Sequence, residues 1–195
     1  MFLVCIMSIY FNVFLFGMKK LKVHDLDFEI YLEDRLINER VVDLAVEIHQ
    51  SLKGQVPHFV AILNGSFVFA SDLLRAFPGD CEISFVKLSS YDGLESSGKV
   101  NELIGLKEVL NENPIIVLED IVDTGKTLSK IDDIFKQKGR ACEIATLFYK
   151  PEVYQGNRHI NFVGFEIPNN FIVGYGLDYN GLGRNLNHVY QLAKA

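Results

Sequence analysis

The chain has 195 residues, enough for one domain with a sizeable core, and it carries no repeats or low-complexity tracts. Its net charge of -6 argues against a surface for nucleic acid or anionic membrane, so a phosphate-bearing ligand needs local backbone donors, a few Lys or Arg side chains and a metal ion. Cys5, Cys81 and Cys142 are odd in number and scattered, which points to reduced thiols in a cytosolic protein. His24, His49, His58, His159 and His188 form no H-x-x-x-H pair and are expected on the surface or in structural hydrogen bonds.

Residues 1–17, MFLVCIMSIYFNVFLFG, are almost wholly apolar and unlike the rest of the chain. No Lys or Arg precedes the run and no A-x-A-like cleavage site comes after it, which disfavours a signal sequence. The run is also slightly short for a spanning helix. The expectation is an extension outside the fold, with Met18 the effective start and residues 18–195 a single domain.

Residues 27–32 alternate polar and apolar and predict an edge strand. Ile37, Val41, Leu44, Ala45, Ile48 and Leu52 then mark one face of an amphipathic helix closed by Gly54. Residues 58–63 read as a buried strand and residues 67–77 as an apolar helix ended by Pro78. Between them lies Asn64-Gly65-Ser66, whose glycine lets the backbone approach a ligand, although the residue types alone are those of a simple turn. Residues 82–88 predict a third strand, and residues 89–101, SSYDGLESSGKVN, a polar, Gly-rich loop long enough to serve as a lid.

The stretch that organises the chain is residues 114–128, PIIVLEDIVDTGKTL. Ile115 to Leu118 form the continuous apolar run of a parallel strand buried on both faces. Glu119, Asp120 and Asp123 then place three carboxylates within five positions, in what reads as an acidic loop. Thr124, Gly125, Lys126 and Thr127 open a helix carried on by Leu128, Ile131, Ile134 and Phe135, with Gly139 as its stop. Free N–H groups at such a terminus hold a phosphate. Carboxylates just upstream hold sugar hydroxyls or Mg²⁺ but repel a bare phosphate, so the combination suggests a sugar phosphate. The end of a Walker A loop is matched by Gly125-Lys126-Thr127, but its first glycine falls on Asp120, where a side chain crowds the phosphates.

Residues 142–149 predict the next strand, ending at Lys150-Pro151. Residues 161–167 and 171–177 are two further β-like segments, succeeded by a turn-rich stretch up to Arg184. Alternating strands and helices imply an α/β protein, a twisted and mainly parallel sheet flanked by helices, with its ligand at the carboxyl ends of the strands.

The 114–128 stretch resembles the phosphoribosyl diphosphate (PRPP) binding signature of type I phosphoribosyltransferases. Residues 164–189, GFEIPNNFIVGYGLDYNGLGRNLNHV, resemble the hypoxanthine and hypoxanthine-guanine branch of that family. The resemblance extends from about Asp27 to the C-terminus and implies a small hood built from the chain ends. It implies transfer of phosphoribose from Mg-PRPP to a 6-oxopurine, with Mg²⁺ as cofactor, no nucleic-acid or membrane partner, a cytoplasmic location and a homo-oligomer, dimer or tetramer.

The resemblance also implies roles residue by residue. Thr124, Gly125, Lys126 and Thr127 are expected at the 5′-phosphate, and Glu119 and Asp120 at the ribose hydroxyls, directly or through Mg²⁺. Asn64, Gly65 and Arg184 are expected at pyrophosphate, where the family often has a basic residue in place of Asn64 and a cis peptide. Phe171 is expected to stack on the base, Ile172 to offer its backbone to the base edge and Lys150 to donate to O6. Asp178 completes the purine site and adds a Mg²⁺ contact. Ser90 and Tyr91 open the lid, and Asp123 is the general base. Two other readings remain open from sequence, a PRPP-sensing regulator of the same fold and a P-loop-like nucleotide hydrolase. The first lacks a basic DNA-binding module, and the second is opposed by Asp120.

Overall fold

The computed structural model describes residues 20–88 and 112–194. The expectations for residues 1–17 and for Ser90 and Tyr91 lie outside the described residues.

Five strands form one parallel sheet: β3 (His58–Leu63), β4 (Glu82–Lys87), β5 (Ile115–Val122), β6 (Glu143–Tyr149) and β7 (Phe162–Glu166). Their order across the sheet is β4-β3-β5-β6-β7. The chain moves outward from β3 to β4 and returns on the other side of β3 as β5. The crevice where this direction reverses, at the carboxyl ends of β3 and β5, is the place where open α/β sheets bind ligands.

Strand alternation divides the core into two layers. Phe59, Ala61, Ile116, Leu118, Ala145 and Leu147 pack with α1 (Asp34–Ser51) and α2 (Phe67–Ala76). Val60, Ile62, Ile115, Val117 and Ile144 pack on the opposite face with Leu128, Ile131 and Phe135 of α3 (Lys126–Gln137). The continuous apolar runs in the sequence exist because both faces of these strands are covered.

A second, antiparallel sheet has the order β1-β2-β9-β8, from β1 (Leu21–Val23), β2 (Leu26–Leu32), β9 (Val189–Leu192) and β8 (Ile172–Val173). This is the hood, joined from both ends of the chain around Val23, Phe28 and Val173. Its strands depart from expectation in two places. Residues 27–32 are not an edge strand, because β1 pairs on one side and β9, far away in sequence, on the other. The expected strand over residues 171–177 shrinks to Ile172–Val173. Gly174, Tyr175 and Gly176 have φ of 102°, 49° and 98° and turn the chain out of the sheet.

His58 is a buried structural histidine, within 3.0 Å of the Glu82 carboxylate and 2.8 Å of the Ser84 hydroxyl. Cys81 and Cys142 are free thiols. Among the described residues, no helix is long and apolar enough to cross a membrane.

Candidate active site

The acidic pair does not lie in a loop. β5 runs through Glu119 and Asp120 to Val122, because Glu119, Ile121 and Val122 remain in register with Thr146, Phe148 and Tyr149 of β6. Ile115 and Val117 pack in the α3 layer and Ile116 and Leu118 in the α2 layer, but Ile121 joins the α2 layer and Val122 the α3 layer, so the alternation does not carry unbroken past the acidic pair. Glu119 and Asp120 line a cleft of about 200 Å³ with Leu63, Gly65, Thr127 and Lys130. An adjoining cleft of about 250 Å³ is lined by residues 119–128.

Burial governs the charge of the pair. Glu119 is 6% exposed, and its Oε2 has no hydrogen-bond partner among the described residues. Burial, with the Asp120 charge beside it, pushes the Glu119 carboxyl well above the usual range. Burial pushes Asp120 up to about 6, opposed by the Ile121 and Asp120 N–H groups and by Arg184. Two desolvated carboxylates with an oxygen left unpaired are suited to sugar hydroxyl donors or to a divalent cation. No cluster of three or more potential metal ligands occurs among the described residues. Mg²⁺ takes one or two carboxylates and completes its shell with substrate phosphates and water, a demand that a pair of acids can meet.

The Asn64-Gly65 turn leaves β3 through a cis Leu63–Asn64 peptide. Gly65 lies so close to Asp120 that any Cβ there would overlap the carboxylate. Gly176 in turn lies against the Gly65 carbonyl. Arg184 donates to the Gly176 carbonyl at 2.7 Å and pairs with Asp178 at 2.5 Å. Asp178 also accepts the Gly181 N–H at 2.7 Å. The hood turn therefore carries Arg184 and Asp178 to the turn after β3, although the sequence separates them by more than a hundred positions.

Gly125 precedes α3 with φ of 85°, a conformation only glycine adopts freely, and this starts the helix directly at Lys126. Thr124 and Thr127 are partly buried, and Lys126 is exposed. The α3 N-terminus carries no side-chain cap, and the first N–H groups of a helix have no partner within it.

At the end of β6, Lys150 is buried with its Nζ 3.4 Å from the Asn169 side-chain oxygen and 3.8 Å from the Asp123 carboxylate. Phe171 presents an exposed ring edge-on to Tyr179, with centroids 5.6 Å apart, and tilted to Phe28 at 6.0 Å. Ile172 is buried in β8. Asn64 is exposed, and no contact joins its side chain to Arg184 among the described residues.

Sequence reasoning missed Gly176, Asn169, Tyr179 and the hydrogen bond from Tyr175 to Asp72, 2.6 Å long. Each meets its partner only through the fold, so no local spacing announces it.

A cleft lined by a strand-terminal acidic pair and a helix N-terminus at the switch point of a parallel sheet, under a hood made from both chain ends, is the architecture of a phosphoribosyltransferase. Residues 28–180 match the family model described as phosphoribosyl transferase domain. The chain is 38% identical over 165 residues to the hypoxanthine phosphoribosyltransferase of Buchnera aphidicola subsp. Schizaphis graminum, covering 83% of this chain and 93% of that one. It is 33% identical over 174 residues to the hypoxanthine-guanine phosphoribosyltransferase of Bacillus subtilis, covering 88% and 96%. A crystal structure of a hypoxanthine-guanine phosphoribosyltransferase from Bacillus anthracis superposes with a TM-score of 0.77 at 34% identity, covering 90% and 99%. The chain belongs to the hypoxanthine(-guanine) phosphoribosyltransferase family.

Proposed function

We propose that the chain transfers the 5-phosphoribosyl group of PRPP to a 6-oxopurine, hypoxanthine and also guanine, giving IMP or GMP and pyrophosphate. The observation that carries this reading is the buried Glu119–Asp120 pair at the switch point, flanked by the Gly65 turn on one side and the N-terminus of α3 on the other.

The backbone N–H groups and hydroxyls of residues 124–127 bind the 5′-phosphate, with Lys126 reinforcing the field. Glu119 and Asp120 receive the ribose hydroxyls. The Gly65 backbone and Arg184 meet the pyrophosphate, with Asn64 contributing its backbone. Glu119, Asp120 and Asp178 are the carboxylates that would hold Mg²⁺, one or two of them directly, and the ion would neutralise charge on the leaving pyrophosphate. The bond from ribose C1 to the pyrophosphate oxygen breaks first, with pyrophosphate taking the electron pair, and purine N9 then bonds to C1. Asp123 accepts the proton that leaves N7. Phe171 stacks on the base, Ile172 offers backbone groups to its edge and Lys150 donates to O6. Exclusion of water protects the oxocarbenium-like intermediate, a task assigned to the segment that Ser90 and Tyr91 open.

The same reading makes the protein a homo-oligomeric enzyme of the cytoplasm, which size-exclusion chromatography with light scattering and cell fractionation test. The deciding experiment for the reaction is a purine panel with Mg-PRPP, tracking pyrophosphate release with and without base. Base-dependent release with hypoxanthine or guanine is expected. PRPP binding without turnover would instead favour a regulator.

A further inference from the structure

Beyond β6 the chain does not leave the site. Lys150 donates its backbone N–H to the Val122 carbonyl at 2.9 Å, and Val153 and Tyr154 close a turn on the Lys150 carbonyl at 3.3 and 3.2 Å. That turn brings Tyr154 against the loop of residues 124–127. A Cβ at Gly125 would meet Cε2 of Tyr154 at 2.5 Å, and a Cβ at Gly156 would meet its phenol oxygen at 2.5 Å. The next residue, Gln155, donates its N–H to the Thr124 carbonyl at 3.3 Å. Two adjacent residues of the turn thus hold two adjacent residues of the loop.

The ring is itself fixed. Its hydroxyl donates to the Arg158 carbonyl at 2.8 Å, and it stands edge-on to Tyr149 with centroids 5.5 Å apart. Arg158 pairs with Asp132 of α3 at 3.3 Å, which ties the same segment to the helix that succeeds the loop. Residues 119–128 line the cleft, and Tyr154 packs against Gly125 of that stretch.

We propose that Tyr154 is a positioning residue for 5′-phosphate binding, its ring holding Gly125 in the left-handed conformation that lets the N–H groups of residues 124–127 converge. The proposal rests on the transfer reaction proposed above. Glycine is the residue with the most conformational freedom to lose, and a site built from backbone donors binds well only when its supporting residues lock it in place. Gly125 is needed twice over: for its φ of 85° and for the room that its missing side chain leaves the ring. Lys150 begins the turn that Tyr154 closes, so one short segment serves both ends of the substrate pair.

The test is steady-state kinetics of the full chain carrying Tyr154→Ala, Tyr154→Leu or Tyr154→Phe, with PRPP and hypoxanthine varied separately. Loss of the ring is expected to raise KM for PRPP about tenfold or more, well inside what a displaced positioning group can cost. The KM for hypoxanthine and kcat at saturating PRPP should stay within about threefold of wild type, on the same positioning argument. Tyr154→Phe retains the ring and should restore the PRPP KM. Tyr154→Leu refills most of the volume and carries the test where the Ala variant does not fold. An unchanged PRPP KM, an equal loss in every parameter, or a Phe variant as impaired as the Leu variant overturns the role. Wild-type protein with no PRPP-dependent turnover in the same assay would remove the reaction itself, a result distinct from any of these.

Discussion

The buried Lys150 ammonium lies 3.8 Å from the Asp123 carboxylate, at neighbouring ends of the central strands β6 and β5. A donor and an acceptor side by side suit a 6-oxopurine whose proton sits on N7: the ammonium meets the O6 acceptor and the carboxylate meets the N7–H on the same edge of the base. On the proposed reading Lys150 and Asp123 have separable tasks, each open to its own experiment.

Asp123→Asn keeps the size of the side chain and removes its capacity as a base. Base assistance typically contributes about 10²–10⁴-fold, so turnover with hypoxanthine should fall within that range. PRPP binding should change little, because the 5′-phosphate and ribose groups are expected to use residues 119–120 and 124–127. Single-turnover rates together with PRPP affinity measure both. An Asn variant with near wild-type turnover removes the role.

Lys150→Ala should weaken the use of hypoxanthine and guanine far more than the affinity for PRPP. An ammonium has three donors and no acceptor, so it serves an oxo group and leaves an amino group unpaired. A hydrogen bond to a charged group is worth about 1.5–3 kcal/mol, which sets the expected loss in kcat/KM for the oxo bases. Adenine should be a poor substrate for the natural protein, and the gap should narrow in the variant. An unchanged ratio of oxo to amino bases would place selectivity elsewhere, in the backbone around Ile172.

Gly65→Ala should damage PRPP use severely. The added Cβ overlaps the Asp120 carboxylate, and the far side of the turn is closed by Gly176. Overpacking of this kind typically costs about 1–3 kcal/mol, and here it falls on the proposed ribose and metal site. Expected is a rise in KM for PRPP with little change for hypoxanthine, read from initial rates with each substrate varied. Wild-type PRPP kinetics in this variant would mean that the turn moves freely and takes no part in binding.

The strand–acid–helix unit could be read from the chain because its signals are local. The apolar run of Ile115 to Leu118 needs burial on both faces, and Gly125 supplies a turn only glycine makes easily. Even there, the ladder with β6 carries the strand past the point where the acids suggest it stops. The hood was legible mainly through family resemblance. FIVGYGL has the alternation of a strand, yet three successive residues with positive φ end it after Val173, because Gly174 and Gly176 pack against the carbonyls of His188 and Gly65. Packing partners so distant in sequence leave no spacing to read, and the same is true of Lys150 with Asn169 and of Tyr175 with Asp72.

Asp120→Asn should stabilise the ligand-free protein while impairing the enzyme. In the fold the Asp120 carboxyl is raised to about 6, mainly by burial, so its ionised form is disfavoured relative to the unfolded chain. The folded state holds this proton more tightly than the unfolded chain does, so the penalty is full above pH 6 and fades as the pH falls toward the ordinary carboxylate range. A shift of this size corresponds to about 3 kcal/mol, and partial exposure of the side chain reduces the expected gain to about 1–2 kcal/mol. The amide is nearly isosteric, and its oxygen can still accept the two backbone N–H groups, from Ile121 and from residue 120 itself, that the carboxylate accepts now. Thermal melts of both proteins without PRPP or Mg²⁺ should therefore diverge above pH 6, with the variant the more stable, and converge near pH 4. At the same time KM for PRPP should rise, because a neutral amide holds neither a cation nor the ribose hydroxyls as a carboxylate does. A variant less stable than wild type at about pH 8, above the whole titration range of this carboxyl, would mean that the Asp120 charge is already compensated within the ligand-free fold, with Arg184 as the neighbouring cation that would have to supply it.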